Sequence, residues 1–202
     1  MIDVAIIDNG GANIASLRFA LERLGASSHL TADPSALAAA PRVILPGVGA
    51  ADDAMARLQA LGLVGVITEL KQPVLGICLG MQLLFARSAE GPNGEDTECL
   101  GLIPERVAHF GHRGGLSVPH MGWNQLHPTS SSPLLAHIEE GDYVYFVHSY
   151  AAPVGPWTLA TTDYGGEFSA AVRHGNFFGV QFHPERSARV GARVLANFLE
   201  LS

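Results

Sequence analysis

"QPVLGICLGMQLLFA", residues 72 to 86, sets an apolar run against a cysteine framed by glycines and then resumes the apolar run. It reads as a buried strand running into a tight turn and a helix. The same unit recurs upstream. "VAIID", Val4 to Asp8, is a first strand, and after the turn "NGGAN" the residues Ile14, Leu17, Leu21 and Leu24 fall at helical spacing, with Gly25 where a C-terminal cap belongs. "RVILPGVGA", residues 42 to 50, is a second strand that runs into a glycine loop. Strands of this kind, apolar throughout and joined by helices, belong to parallel sheets covered on both faces, so an α/β layered fold is expected.

The second half changes character. "RVAHF", "YVYFVHSY", "TLATT", "SAAVRHG" and "FFGVQFHP" are closely spaced strand-like runs with turn residues between them, which predicts hairpins or a mixed sheet. After Pro184, the spacing of Val190, Val194, Leu195 and Phe198 predicts a closing amphipathic helix. "SAEGPNGEDTE", residues 88 to 98, is a polar loop and the segment best suited to move.

With 202 residues, 48% of them apolar, the chain can bury a full core, and one domain over residues 1–202 is expected. Acidic residues outnumber basic ones 19 to 12, giving a formal charge of −7, so nucleic-acid binding has no electrostatic support. Small-molecule chemistry or a protein partner suits this balance better. The opening "MIDVAII" lacks the basic start and cleavage site of a signal peptide, and no apolar run approaches the roughly 20 residues needed to cross a membrane. Cys78 and Cys99 are too few for a disulfide scaffold; both are expected as free thiols in a cytoplasmic, reducing compartment.

In Gly76-Ile77-Cys78-Leu79-Gly80 the cysteine has a glycine two residues to either side, the nucleophile-elbow pattern with sulfur in place of oxygen. A thiol at a helix N-terminus also feels the positive end of the helix dipole, which favours the reactive thiolate. A glycine-flanked packing cysteine is the alternative. Of nine histidines, His183 in "QFHPE" is the best-placed base, because Pro184 bars a helical conformation there and holds His183 extended. In an extended segment Glu185 points the same way and can orient the ring, completing Cys78, His183 and Glu185 as nucleophile, base and orienter. "PGVGA", residues 46 to 50, offers backbone N–H groups for an oxyanion, with the Leu79 amide as the second donor; an ordinary strand-ending turn is the alternative. No Lys-Ser/Thr follows the glycines to make a phosphate loop. The scattered histidines and cysteines lack zinc spacing, so no metal or other cofactor is expected.

Together, "PGVGA", "GICLGMQ" and "FHPE" resemble the class I, triad-type glutamine amidotransferases, over essentially the whole chain. Within that class "VPHMGWNQL" (118–126), "YFVHSY" (145–150) and "EFSAAVRHGNFFGVQFHPERS" resemble the glutaminase subunits of imidazole glycerol phosphate synthase. The resemblance implies a three-layer, flavodoxin-like α/β fold with a mixed central sheet flanked by helices. It makes Cys78 the nucleophile, His183 the base and then acid, and Glu185 the group holding the histidine. Val48 and Leu79 furnish the oxyanion hole; Gly49 and Gln82 surround the bound glutamine, with His148, Ser149 and Tyr150 on its other side. The implied partner is a (βα)₈-barrel cyclase subunit, which takes up the ammonia; Asn13, Met121, Trp123, Tyr145 and Arg186 match positions at or near its interface. Arg186 stands where a lysine is common, which keeps the charge and changes the hydrogen-bond geometry.

Two rival readings are a glutaminase serving a different synthase, such as those for anthranilate, guanylate or pyridoxal phosphate, and a non-catalytic redox-sensing domain that uses Cys78 as a reactive thiol.

Overall fold

The structure, a computed structural model, describes residues 3–10, 14–111 and 115–201; Asn13, expected near a partner interface, lies outside them. In chain order the first half gives β1 (Asp3–Ile7), α1 (Ala15–Arg23), β2 (Ser27–Thr31), α2 (Pro34–Ala39), β3 (Val43–Gly47), α3 (Ala51–Ala60), α4 (Leu63–Glu69), β4 (Val74–Cys78) and the single turn α5 (Leu79–Gln82). The rest gives β5 (Phe85–Ser88), β6 (Thr97–Glu98), β7 (Ile103–His109), β8 (His120–Gln125), β9 (His127–Pro128), β10 (Tyr143–His148) and β11 (Tyr150–Ala151). It closes with β12 (Thr158–Asp163), β13 (Glu167–His174), β14 (Phe177–Val180) and α6 (Ala188–Glu200).

Eight strands form one sheet in the order β2-β1-β3-β4-β14-β13-β12-β9, parallel as far as β14 and antiparallel beyond it. The division matches the change of character in the sequence: β3 and β4 are buried at every residue, as parallel strands covered on both faces must be. One face carries α1, α6 and strand β10, through Leu17, Leu21, Val194, Leu195, Phe198 and Phe146. The other carries α2, α3, α4 and a four-stranded sheet in the order β11-β7-β5-β6, through Leu37, Leu58, Ile67, Phe85 and Ile103. Each large side chain fully buried in these layers contributes roughly 1.5–3 kcal/mol. Strands β8 and β10 pair antiparallel as a separate ribbon.

Local signals account for the element ends. Gly25 takes φ +78° and its N–H bonds the Glu22 carbonyl, closing α1 as expected. Asp33 caps α2 by accepting from the Ser35 N–H at 2.8 Å, with Pro34 at the first helical position.

One expectation needs correction. The helix after Cys78 is one turn, Leu79–Gln82, after which "FARS" runs as β5 beside β7. A short apolar run fits a buried strand as well as a buried helix, and Phe85 finds its place between layers as strand. The polar segment 88–98 is a connection whose ends pair, Arg87 with Glu98 and Ser88 with Thr97.

Candidate active site

Strands β3, β4 and β14 lie side by side and parallel, so their C-terminal ends share one edge of the sheet, where open α/β sheets hold their ligands. The register pairs Gly47 with Cys78 and Val180 with Ile77. The loop beginning at Val48, the cysteine, and the segment Gln181–His183 therefore converge at that edge.

Cys78 sits at φ 54°, ψ −110°, a strained conformation for a residue with a side chain. The elbow is sharp enough that backbone packs on backbone. A Cβ on Gly80 would lie 1.9 Å from the Leu45 carbonyl oxygen, and one on Gly76 would lie 2.6 Å from the Gly80 oxygen. This is the packing role expected of the two glycines. The dipole of a one-turn helix is small, so the local amides matter more here than the helix does.

His183 is extended, at φ −96°, ψ 100°, as Pro184 requires. Its Nδ1 bonds Glu185 Oε1 at 2.9 Å, and both side chains are nearly buried, 14% and 12% exposed. The route is not the alternation of a strand. Residues 184–186 form a 3₁₀ turn, closed by the Arg186 N–H on the His183 carbonyl, and the turn folds Glu185 back onto the ring. The backbone of His183 is clipped to β10: its N–H bonds the Tyr145 carbonyl, and Ser187 Oγ donates to the His183 carbonyl while accepting from the Tyr145 N–H. Burial disfavours the charged ring, but hydrogen bonds to Cys78 and Glu185, and the charges of both, outweigh it and raise the His183 pKa to about 10. The Cys78 thiol donates to the Val147 carbonyl at 3.7 Å and accepts from Gln181 Nε2 at 3.8 Å. Cys99 is unlike it: burial pushes its pKa up to about 12, which makes it a packing thiol.

Cys78 and His183 line a cavity of about 270 Å³. Val48, Gly49 and Leu79 form its elbow side, with Gln82 beside them, and His148, Ser149 and Tyr150 form the opposite wall. Every residue expected around a bound glutamine thus lines this one cavity, although the Gln82 amide is turned inward, donating to Tyr150 O and Gln181 Oε1 at 2.9 Å each. Pro119 and Val147 also line the cavity, and two polar residues at it were not predicted. Glu90 enters the wall from the polar segment, where it accepts from the Ala51 N–H at 3.0 Å and burial raises its pKa. Gln181, fully buried, reaches the sulfur; it lies two residues before His183 in an apolar run, which was the available signal. Among the described residues no group of three or more His, Cys, Asp or Glu could hold a metal ion.

Residues 5–201 match the family Glutamine amidotransferase class-I. The chain belongs to that family. Among curated relatives, the imidazole glycerol phosphate synthase subunit HisH of Xanthomonas axonopodis pv. citri (strain 306) is 57% identical over 202 residues, covering 100% of this chain and 99% of the relative. The HisH subunit of Xylella fastidiosa (strain Temecula1) is 54% identical over 201 residues, covering 100% and 98%. Solved structures share the class-I amidotransferase fold at lower identity. A putative GMP synthase subunit from Thermoplasma acidophilum superposes with a TM-score of 0.74 at 20% identity, over 98% of this chain and 92% of that one. PurLQS of Thermotoga maritima superposes with a TM-score of 0.71 at 20% identity, over 98% and 97%.

Beside the amidotransferase cavity, the ribbon β8–β10 turns one face outward. Met121 and Trp123 are 63% and 52% exposed, so Trp123 is not a core aromatic. Trp123 meets Tyr145 edge-on at 5.9 Å, and the Arg186 guanidinium lies 4.6 Å over the Tyr145 ring. No helix among the described residues is long and apolar enough to cross a membrane.

Proposed function

We propose that this chain is the glutaminase subunit of an imidazole glycerol phosphate synthase, acting in the cytoplasm as a single amidotransferase domain over residues 1–202. The observation that carries the reading is the buried Cys78–His183–Glu185 constellation opening on a glutamine-sized cavity, in a chain that matches HisH relatives from end to end.

Cys78 gives its proton to His183, and the thiolate adds to the side-chain amide carbon of glutamine. The oxygen that becomes negative is met by the N–H groups of Val48 and Leu79, at the ends of the adjacent strands β3 and β4. His183 then protonates the departing nitrogen, ammonia leaves, and a water deprotonated by His183 hydrolyses the glutamyl thioester to glutamate. Glu185 holds the ring by its Nδ1 so that Nε2 faces the reaction. Gly49, Gln82 and the segment His148–Tyr150 surround the substrate, and Glu90, the carboxylate in the cavity wall, pairs with its α-ammonium.

The partner is a (βα)₈-barrel cyclase that docks on Asn13, Met121, Trp123, Tyr145 and Arg186. It receives the ammonia and forms imidazole glycerol phosphate and aminoimidazole carboxamide ribotide in histidine biosynthesis. Idle hydrolysis of glutamine is wasteful, and the Val48 loop, with Gly49 at φ +90°, supplies a gate that presents or withdraws an N–H. The test is glutamate release by this chain alone, with the cyclase, and with the cyclase and its ribulosyl substrate. A large rise on adding both is expected; an unchanged rate overturns the reading.

A further inference from the structure

Behind the wall formed by His148 and Tyr150, two histidines are buried together. His120 is sandwiched between Phe146 and Tyr164, with ring centroids 4.8 and 4.0 Å away and planes within about 23° of parallel. Its Nδ1 lies 3.1 Å from His148 Nε2. His148 Nδ1 lies 2.7 Å from the Tyr150 carbonyl, and His120 Nε2 lies 3.4 Å from Asn124 Nδ2. Neither ring takes part in the proton transfers described above, although His148 lines the cavity, and the whole arrangement is continuous with Gln82, Gln181 and the Cys78 sulfur.

The direction of every bond in this series follows from its two backbone carbonyls. A carbonyl only accepts, so His148 must carry its proton on Nδ1 to meet Tyr150 O, which leaves its Nε2 as an acceptor. His120 must then carry its proton on Nδ1, and its Nε2 accepts from Asn124. Asn124 is fixed independently, because its Nδ2 donates to Asp163 O at 2.8 Å and its Oδ1 accepts from the Gln125 N–H. On the other side of Tyr150 O, the atom of Gln82 must be its nitrogen, which also donates to Gln181. The Gln181 atom there is therefore oxygen, and the one left facing sulfur is the N–H₂. No amide in the series can flip, and neither ring can change tautomer, without setting donor against donor or acceptor against acceptor.

We propose that Gln181 is a positioning residue that donates to the Cys78 sulfur in its thiolate form, and that its amide is oriented through Gln82 by Tyr150 O, a carbonyl held in place from strand β8 by Asn124, His120 and His148. The inference rests on the reading of Cys78 as the nucleophile. Strand β8 gives it a second consequence. His120 and Asn124 face inward while Met121 and Trp123, on the alternate face, are the exposed residues of β8, so one strand carries both the outer aromatic patch and the root of the series. The titratable groups that share the cavity with Cys78 are His183, His148, Glu90 and Tyr150, whose phenol is pushed up by burial. Those around the histidine pair are Tyr164, stacked on His120, and His183, whose charge opposes one on His148. Burial keeps both rings of the pair neutral, lowering His120 to about 4 and His148 to about 3, which is the state the bond directions need.

Two measurements on the full chain test this. Imidazole ¹⁵N spectra of the wild type are expected to show His120 and His148 neutral, each with its proton on Nδ1, from pH 5.5 to 8.5; a proton on Nε2 of either ring, or titration within that range, overturns the series. The second is the pH profile of Cys78 alkylation by iodoacetamide, read by peptide mass. Gln181→Met, similar in length and without a donor, is expected to move the profile up by about one pH unit, roughly tenfold less reaction at pH 7. His120→Phe, which keeps the stacking and loses both nitrogens, is expected to move it the same way by about threefold, and His120→Asn, which returns an N–H toward His148, to recover most of that loss. A purely structural role lowers folded yield and leaves the profile in place. A wild-type profile for Gln181→Met, or His120→Asn no better than His120→Phe, overturns the proposal, and the wild-type spectra decide the matter if a His120 variant does not fold. Failure of the nucleophile reading shows separately, as no labelling of wild-type Cys78 by a glutamine chloroketone.

Discussion

The two sides of the cavity treat the same side chain in opposite ways. On one side His183, nearly buried, is made a strong proton acceptor: burial opposes its charge, but hydrogen bonds to Cys78 and Glu185 and the charges of both raise its pKa to about 10. On the other, His120 and His148 are buried among Phe110, Phe146, Phe168 and Tyr164 and kept neutral, near 4 and 3, because each nitrogen is committed to a neutral partner and no carboxylate is among them. Burial alone pushes all three downward; the partner decides the outcome. A histidine beside an acid is ready to move protons, whereas one beside a carbonyl or another imidazole is a directional spacer.

The charged side breaks most completely at its acid partners. Cys78→Ser removes the thiolate, and glutamine hydrolysis by the assembled enzyme is expected to fall by more than about a thousandfold, measured as glutamate release. The His183 ¹⁵N shifts are expected to return toward an ordinary imidazole in the same variant. Glu185→Gln keeps an oxygen for His183 Nδ1 and removes the charge, while its new N–H₂ takes the place of Oε2, a buried atom with no hydrogen-bond partner among the described residues. About a hundredfold loss in kcat is expected, with KM little changed because the group orients the base and does not hold substrate.

The neutral side breaks with acid. A histidine whose folded pKa lies below 6.5 leaves the unfolded chain binding more protons between the two values, so its stabilisation is complete above about pH 6.5 and is lost as pH falls toward 4. His183 has the opposite sign: its contribution is complete below pH 6.5 and is lost as pH rises toward 10. Urea unfolding is therefore expected to give a stability maximum near pH 6.5, with roughly 3 kcal/mol for each of the two rings lost on the acid side by pH 4. Cys78→Ser is expected to flatten only the alkaline limb. A single-sided profile contradicts the contrast.

What could be read from the sequence divides along similar lines. Strands β1, β3 and β4 were legible because residues buried on both faces must be apolar without interruption, and the elbow was legible because only glycine fits where a Cβ would lie 1.9 to 2.6 Å from neighbouring backbone oxygens. The triad was legible as residue types, yet Glu185 reaches His183 by a 3₁₀ turn that the motif does not announce. The length of α5 was not legible, since a short apolar run carries no period of its own. Glu90 was invisible because its bond to the Ala51 N–H crosses 39 residues, and a carboxylate in a polar segment looks like solvent-facing charge until the fold closes over it. His120 and His148 stood in recognisable motifs, but their pairing depends on the antiparallel register of β8 and β10, which sets them directly opposite.

The finest test of the contrast uses the outer face of the ribbon that carries the neutral pair. Trp123 is half exposed and makes its edge-on contact with Tyr145 at the surface, where Arg186 also stacks. Trp123→Ala is expected to leave the unfolding free energy of the isolated chain within about 0.5 kcal/mol of wild type and both limbs of its pH profile in place. Its expected effect is on assembly: a half-exposed tryptophan beside a stacked arginine has the composition of an interface anchor, and its loss should weaken cyclase binding by roughly 1.4 kcal/mol, about tenfold, in a titration calorimeter. If the acid limb shifts instead while binding holds, Trp123 belongs to the packing around His120, and the outer and inner faces of β8 are not separable.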